Sequence, residues 1–145
     1  MAKLLLISTI TLLAPSALAA GLDVTGEWTY ATSGSWKKGP CPTGGDAKGT
    51  LKMTQKGAKV TLEFKSGRTC RPASMCVFAG KLKGKVLVLS NSAKVDNEGG
   101  KASNTIKLKL KDADHAAGSS KSSYKHPGGM VCSWGSKVTL QRKKK

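Results

Sequence analysis

Apolar residues recur at every second position through most of this chain, and that period constrains its fold more than any other feature. Ile106, Leu108 and Leu110 alternate with Lys107, Lys109 and Lys111. Val60, Leu62 and Phe64 alternate with Lys59, Thr61, Glu63 and Lys65, and Leu51, Met53 and Gln55 with Lys52, Thr54 and Lys56. Successive side chains of an extended strand point to opposite faces, so each pattern turns one face to a core and the other to water. No helical periodicity follows residue 20. The alternation predicts about eight strands, near 22–30, 49–55, 58–65, 75–81, 85–91, 103–111, 115–124 and 130–141.

The connections fall into two kinds. Gly57, Gly84 and Asp112-Ala113-Asp114 mark short turns, whereas 31–48, 66–74, 92–102 and 125–129 are longer and rich in glycine. In an up-and-down sheet successive connections lie at alternate ends, which puts the short turns at one end and the long loops at the other. Eight such strands close into a barrel wide enough to be filled or to hold one small ligand. Closure also removes the unpaired edges of a flat sheet. The expected fold is all-β, a single up-and-down antiparallel β-barrel, with an open sandwich as the structural alternative. A length of 145 residues suits one domain.

The first 20 residues differ from the rest. Lys3 precedes an apolar stretch from Leu4 to Leu13, Pro15 interrupts it, and Ala17-Leu18-Ala19 has the small-x-small pattern of a signal-peptidase site. The stretch is shorter than the roughly 20 residues a membrane span needs. The expected division is a signal peptide over 1–19 and one barrel domain over 20–145 with a basic C-terminal tail. The mature protein is expected to be soluble and exported, periplasmic or extracellular.

All four cysteines, Cys41, Cys70, Cys76 and Cys132, lie beyond that segment. An even number in an exported chain points to two disulfides. A zinc site is disfavoured, since no CxxC is present and His115 and His126 have no ligand-like spacing to the cysteines. Each cysteine falls at the long-loop end. The preferred pairing is Cys41 with Cys132, joining the first loop to the last strand, and Cys70 with Cys76. Three connectivities are open to four cysteines.

Val24-Thr25-Gly26-Glu27-Trp28 places a Gly-x-Trp on the first strand, and Trp134 and Arg142 lie on the last. In this the chain resembles the calycin-type small barrels, the lipocalin and avidin group. The resemblance implies eight strands, a ligand at the long-loop end and a binding role, with no particular ligand. No lipocalin-type helix follows the strands, and avidin's biotin contacts cannot be traced.

Net charge is +17, from 25 Lys and Arg against 8 Asp and Glu. Loss of Lys3 with the signal segment leaves +16. Lysines recur on the outward strand positions, and the chain ends Arg142-Lys143-Lys144-Lys145. Such a surface confers solubility and attracts anions. For an exported protein the anionic partners available are envelope polymers, lipid headgroups, acidic polysaccharide or extracellular DNA. Arginine is scarce and the aromatic residues belong mostly to the interior, which disfavours sequence-specific nucleic-acid recognition.

Candidate ligand-binding residues gather at the long-loop rim: Trp36, Lys37 and Lys38, Arg68 and Arg71 beside Cys70, and Tyr124, Lys125 and His126. An exposed Trp beside cations suits a carboxylate, a phosphate or a sugar ring; Trp36 packing over the mouth as a plug is the competing reading. Trp28, Tyr30 and Trp134 are expected close together inside the barrel, facing the small residues Ala116, Gly118, Ser120 and Ser122. Complementary packing is the preferred reading there. A small cavity offering Trp28, Ser120, Ser122 and Trp134 to a ligand is the lesser one.

The carboxylates Asp23, Glu27, Asp46, Glu63, Asp96, Glu98, Asp112 and Asp114 are scattered, and no catalytic or phosphate-binding motif occurs. The chain is therefore expected to be a binding protein, with no catalytic residues, cofactor or metal. The expected partner is an anionic ligand or polyanion held at the long-loop end. The alternative is an exported interaction protein, a hydrolase inhibitor or immunity protein, acting on an acidic protein partner.

Overall fold

A computed structural model describes residues 21–42 and 44–145. The expected signal segment lies outside the described residues. Eight antiparallel strands close in sequence order: β1 (Gly26–Lys38), β2 (Lys48–Lys56), β3 (Lys59–Phe64), β4 (Val77–Lys83), β5 (Val86–Lys94), β6 (Lys101–Leu110), β7 (His115–Lys125) and β8 (Val131–Arg142). β8 returns to pair with β1, so no strand is left as an edge. Short turns follow β2, β4 and β6 at one end, and longer connections follow β1, β3, β5 and β7 at the other. The up-and-down barrel read from the alternation is thus present.

The alternating apolar residues fill the interior. Trp28, Leu51, Met53, Leu62, Phe78, Leu87, Leu89, Leu108 and Leu110 are almost fully buried, and the lysines between them point outward. At about 25 cal/mol per Å² of apolar surface, this burial is the main force closing the barrel. Both disulfides form as read from the sequence, Cys41 to Cys132 and Cys70 to Cys76. They place the chain's maturation in an oxidising environment. No helix among the described residues is long and apolar enough to cross a membrane.

Strand boundaries and the placing of the aromatic trio are each corrected. The sequence reading ends the first strand at residue 30 and leaves Trp36, Lys37 and Lys38 in a loop. β1 instead continues to Lys38 beside β8. Gly34 and Ser35 together oppose Ser136 in a β-bulge, with Gly34 at φ +59°, a backbone conformation in which glycine carries no Cβ strain. A bulge inserts one residue out of period, so alternation cannot be followed through it. The fourth strand also starts later than expected, because Ala73–Cys76 form a short 3₁₀ turn ahead of it.

The second correction concerns the aromatic trio. Trp28 pairs with Arg142, and Trp134 pairs with Lys37 at the opposite end of β8. Eight residues of strand, roughly 27 Å, separate those two positions. Antiparallel pairing brings the start of one strand to the finish of the other, so Trp28 and Trp134 occupy opposite ends of the barrel.

The short-turn end is sealed. The Trp28 indole N–H donates to the Val24 carbonyl at 2.9 Å, and Val24 N–H donates to Gln55 Oε1 at 2.9 Å. The Arg142 guanidinium lies 4.5 Å from the Trp28 ring centre. Its N–H groups donate to the carbonyls of Thr25 (2.5 Å), Asp23 (2.6 Å) and Ala113 (2.9 and 3.0 Å), and its Nε lies 3.2 Å from the Asp114 carboxylate. One side chain thus ties the N-terminal segment, the β6–β7 turn and β8 together over the floor of the core.

Candidate functional site

The interior changes character along the barrel. Toward the long-loop end, inward positions pass from Leu108 and Ile106 to Asn104 on β6, and from Ala116 to Ser120 and Ser122 on β7. Asn104 donates to Asn91 Oδ1 at 2.8 Å, and Asn91 in turn donates to the carbonyls of Met75 and Val77. Ser120 and Ser136 hydroxyls pair at 3.0 Å. These groups make a polar upper storey above an apolar lower one.

A cavity of about 470 Å³ opens in that storey. Its walls include Tyr30, Thr32 and Trp36 from β1, Phe64 from β3, Ile106 from β6, Ser120 and Ser122 from β7, and Trp134, Ser136 and Val138 from β8. Loop residues Ala47, Gly67, Arg68 and Thr69 also line it. Gly67, at φ +78°, approaches the Lys48 carbonyl and the Tyr30 hydroxyl so closely that no side chain fits there. That approach folds the β3–β4 connection back over the mouth, and the Tyr30 hydroxyl fixes it by donating to the Ser66 carbonyl at 3.1 Å. Gly135 leaves room on β8 for Trp36: a Cβ there would come within 2.9 Å of the indole.

Arg68 is the charged residue of this cavity. Tyr30 and Phe64 meet edge to face at 4.9 Å, Phe64 and Phe78 at 5.7 Å, and the Arg68 guanidinium sits 5.1 Å and 5.5 Å from the two phenylalanine ring centres. The residue as a whole is exposed, but its guanidinium end is desolvated enough to lower its pKa, and the same desolvation raises that of Tyr30. Arginine keeps its charge at any physiological pH. Among the described residues the Arg68 side chain donates to no carbonyl and meets no carboxylate, so its N–H groups remain open to solvent and to the cavity it lines.

The residues singled out from the sequence divide accordingly. Trp36, Arg68, Ser120, Ser122 and Trp134 line the cavity together. Lys37, Lys38, Arg71 and Lys125 are exposed and outside its lining. Trp28 belongs to the sealed end. Packing, the preferred reading of the interior, describes the lower storey, and the cavity occupies the upper one. Tyr124 at the end of β7 and His126 just beyond it hold the β5–β6 connection instead: Tyr124 donates to Asp96 Oδ2 at 2.5 Å, and His126 Nε2 lies 2.7 Å from Glu98 Oε2. The Tyr124–Asp96 bond, with the Gly100 and Glu98 backbone N–H groups, holds the Asp96 carboxyl below its usual range, and the same bond pushes Tyr124 up to about 12.

The sequence reading missed Phe64, Phe78 and Ser136. Ser136 follows Trp134 and precedes Val138 at the inward period, a signal that was available. Stacking of Arg68 on two phenylalanines from different strands has no counterpart in sequence spacing. No protein-family model matches the chain, and neither a curated protein nor a solved structure shows significant similarity to it.

Proposed function

We propose that this chain is an exported, non-enzymatic binding protein that captures an anionic ligand at its long-loop end. The observation that carries the reading is the Arg68 guanidinium, stacked on Phe64 and Phe78 at a cavity of about 470 Å³ and without a protein carboxylate to pair with among the described residues. That size falls in the range of small-molecule sites, about 300–1,000 Å³. A guanidinium presents a planar fork of donors that matches a carboxylate or phosphate, and a partly desolvated setting strengthens the bond. Tyr30, Phe64, Trp36 and Trp134 would take the ligand's apolar body, and Ser120, Ser122 and Ser136 its polar substituents. Lys37, Lys38, Arg71 and Lys125 near the mouth raise the local concentration of anions. The calycin-like, lipocalin- and avidin-type relationship belongs to this proposal. It is supported by the closed eight-strand barrel and by Arg142 stacked on the Trp28 of Gly26-Glu27-Trp28.

The test uses anilinonaphthalene sulfonate, an anion with an aromatic body, read by its own fluorescence and by quenching of Trp36 and Trp134. Binding is expected, with a loss of at least about tenfold in Arg68→Ala, the size expected for one charge-assisted bond. Arg68→Lys should recover only part of it. Equal affinity of Arg68→Ala and the parent overturns the assignment. Native mass spectrometry of protein from its own host would then identify any retained ligand.

A further inference from the structure

The outer wall formed by β4, β5 and β6 carries a second pattern, separate from the mouth. Val86 and Val88 point outward from β5 and are 37% and 42% exposed. Val86 stands between Lys83 on β4 and Lys109 on β6, and Val88 between Lys81 and Lys107. Two aliphatic side chains are thus framed by four lysines. These three strands contain no Asp or Glu.

The lysine row extends past β4. Lys81 is directly opposite Lys59, and Lys59 is opposite Lys56. Adjacent strands lie about 4.8 Å apart, and like charges facing each other at that spacing destabilise a sheet. Among the described residues, Lys65 and Lys143 are the lysines that reach a carboxylate, Glu63 and Glu27 respectively. Solubility alone is better served by interspersed charges of both signs. The fold maintains a repulsive lysine array and places exposed valines within it.

We propose that this wall is a docking face for an anionic lipid bilayer. Headgroup phosphates neutralise Lys81, Lys83, Lys107 and Lys109, whose aliphatic stems lie along the interface. Val86 and Val88 enter the boundary between headgroups and acyl chains. A linear polyanion would match the lysines and leave the valines without a role. A convex barrel touches a flat surface along a strip of a few strands, the width of this patch. The mouth opens at the barrel's end, so docking on the wall leaves it free.

The test is co-sedimentation of the protein with vesicles of phosphatidylcholine, with and without phosphatidylglycerol. Binding is expected only to the anionic vesicles and is expected to weaken with salt. At about fivefold per lysine, K81Q/K83Q/K107Q/K109Q should weaken it several hundredfold. K48Q/K52Q/K121Q/K137Q, which removes equal charge from other walls, should weaken it less than about tenfold. V86T/V88T should lower vesicle affinity several-fold and leave dextran sulfate binding unchanged. Circular dichroism shows that each variant is folded, and Arg68→Ala should bind vesicles as the parent does, so the mouth and the wall fail separately. No vesicle binding at low salt, equal losses in the two lysine variants, or an unaltered V86T/V88T each overturns the proposal. Tighter binding to dextran sulfate than to vesicles, lost with the same four lysines, overturns it in favour of a linear polyanion.

Discussion

Each end of the barrel holds an arginine stacked on aromatic rings, and the two differ in what their N–H groups meet. Arg142 lies on Trp28 and donates to the carbonyls of Asp23, Thr25 and Ala113. Arg68 lies on Phe64 and Phe78 and donates to nothing among the described residues. The same side chain is therefore tied into the backbone at one end and left open to the cavity at the other. The means of holding the ends differ too. The short-turn end is tied by Arg142 and tight turns, the long-loop end by two disulfides that restrain loops with little periodic structure of their own.

Changing the clamps is the strongest way to break this comparison. The Cys41–Cys132 bridge closes a separation of 91 residues. Cys41→Ser with Cys132→Ser should lower unfolding free energy by about 4 kcal/mol in denaturant titration. Arg142→Ala should lower it by about 3 kcal/mol, through the lost carbonyl bonds and the stacking on Trp28, while the folded fraction keeps the parent's affinity for anilinonaphthalene sulfonate. A loss under about 1 kcal/mol would show that Arg142 is no closure.

Arg68→Met sharpens the contrast from the other side. An apolar side chain of similar length keeps the packing on the two rings and removes the charge. Arg68 is exposed, so stability should change by less than about 1 kcal/mol even as anion binding is lost. Arg142→Met should destabilise like Arg142→Ala. If the two methionine variants melt alike, the arginines do the same work and the contrast between the ends fails.

The smallest effect concerns the loops at the open end. Tyr124, held to Asp96, titrates near 12, above tyrosine's ordinary 10.0. A raised pKa means the contact contributes fully below the ordinary value and is lost as pH rises toward the folded one. Asp96 is shifted the other way, so its share is present above the ordinary 3.8 and is lost as pH falls through its lowered value. The tie therefore holds across the neutral range. Absorbance titration of a Tyr30→Phe variant should show Tyr124 ionising near 12. Adding Asp96→Asn should bring it back toward 10, and an unchanged midpoint would remove the tie.

The wall was readable in the sequence because it obeys a period. The inward and outward residues of β2, β3 and β6, the three short turns and the gathering of four cysteines at one end all follow from alternation and connection length. Legibility stopped where the period stopped. The Gly34–Ser35 bulge carried Trp36, Lys37 and Lys38 out of the expected loop and into β1. Arg68 was visible as a basic residue of the long-loop end, but its direction depends on Phe64 and Phe78, which β3 and β4 bring together. Tyr124 and His126 were expected to join the same rim. Asp96 and Glu98, which hold them, fall within the predicted 92–102 loop, whose internal arrangement has no sequence period.

Taken alone, the sequence determined which side chains of the regular strands face the core, which connections are short and at which end the cysteines gather, since these depend on near neighbours and on a period of two. Tertiary structure decided the neighbours across strands. Register places Lys81 and Lys107 on either side of Val88, and Trp28 and Trp134 at opposite ends. Barrel closure gives the interior a sealed floor and an open storey into which Arg68 turns. Cross-strand contacts join residues far apart in the chain, and a shift of one residue in pairing would turn each of them to the other face.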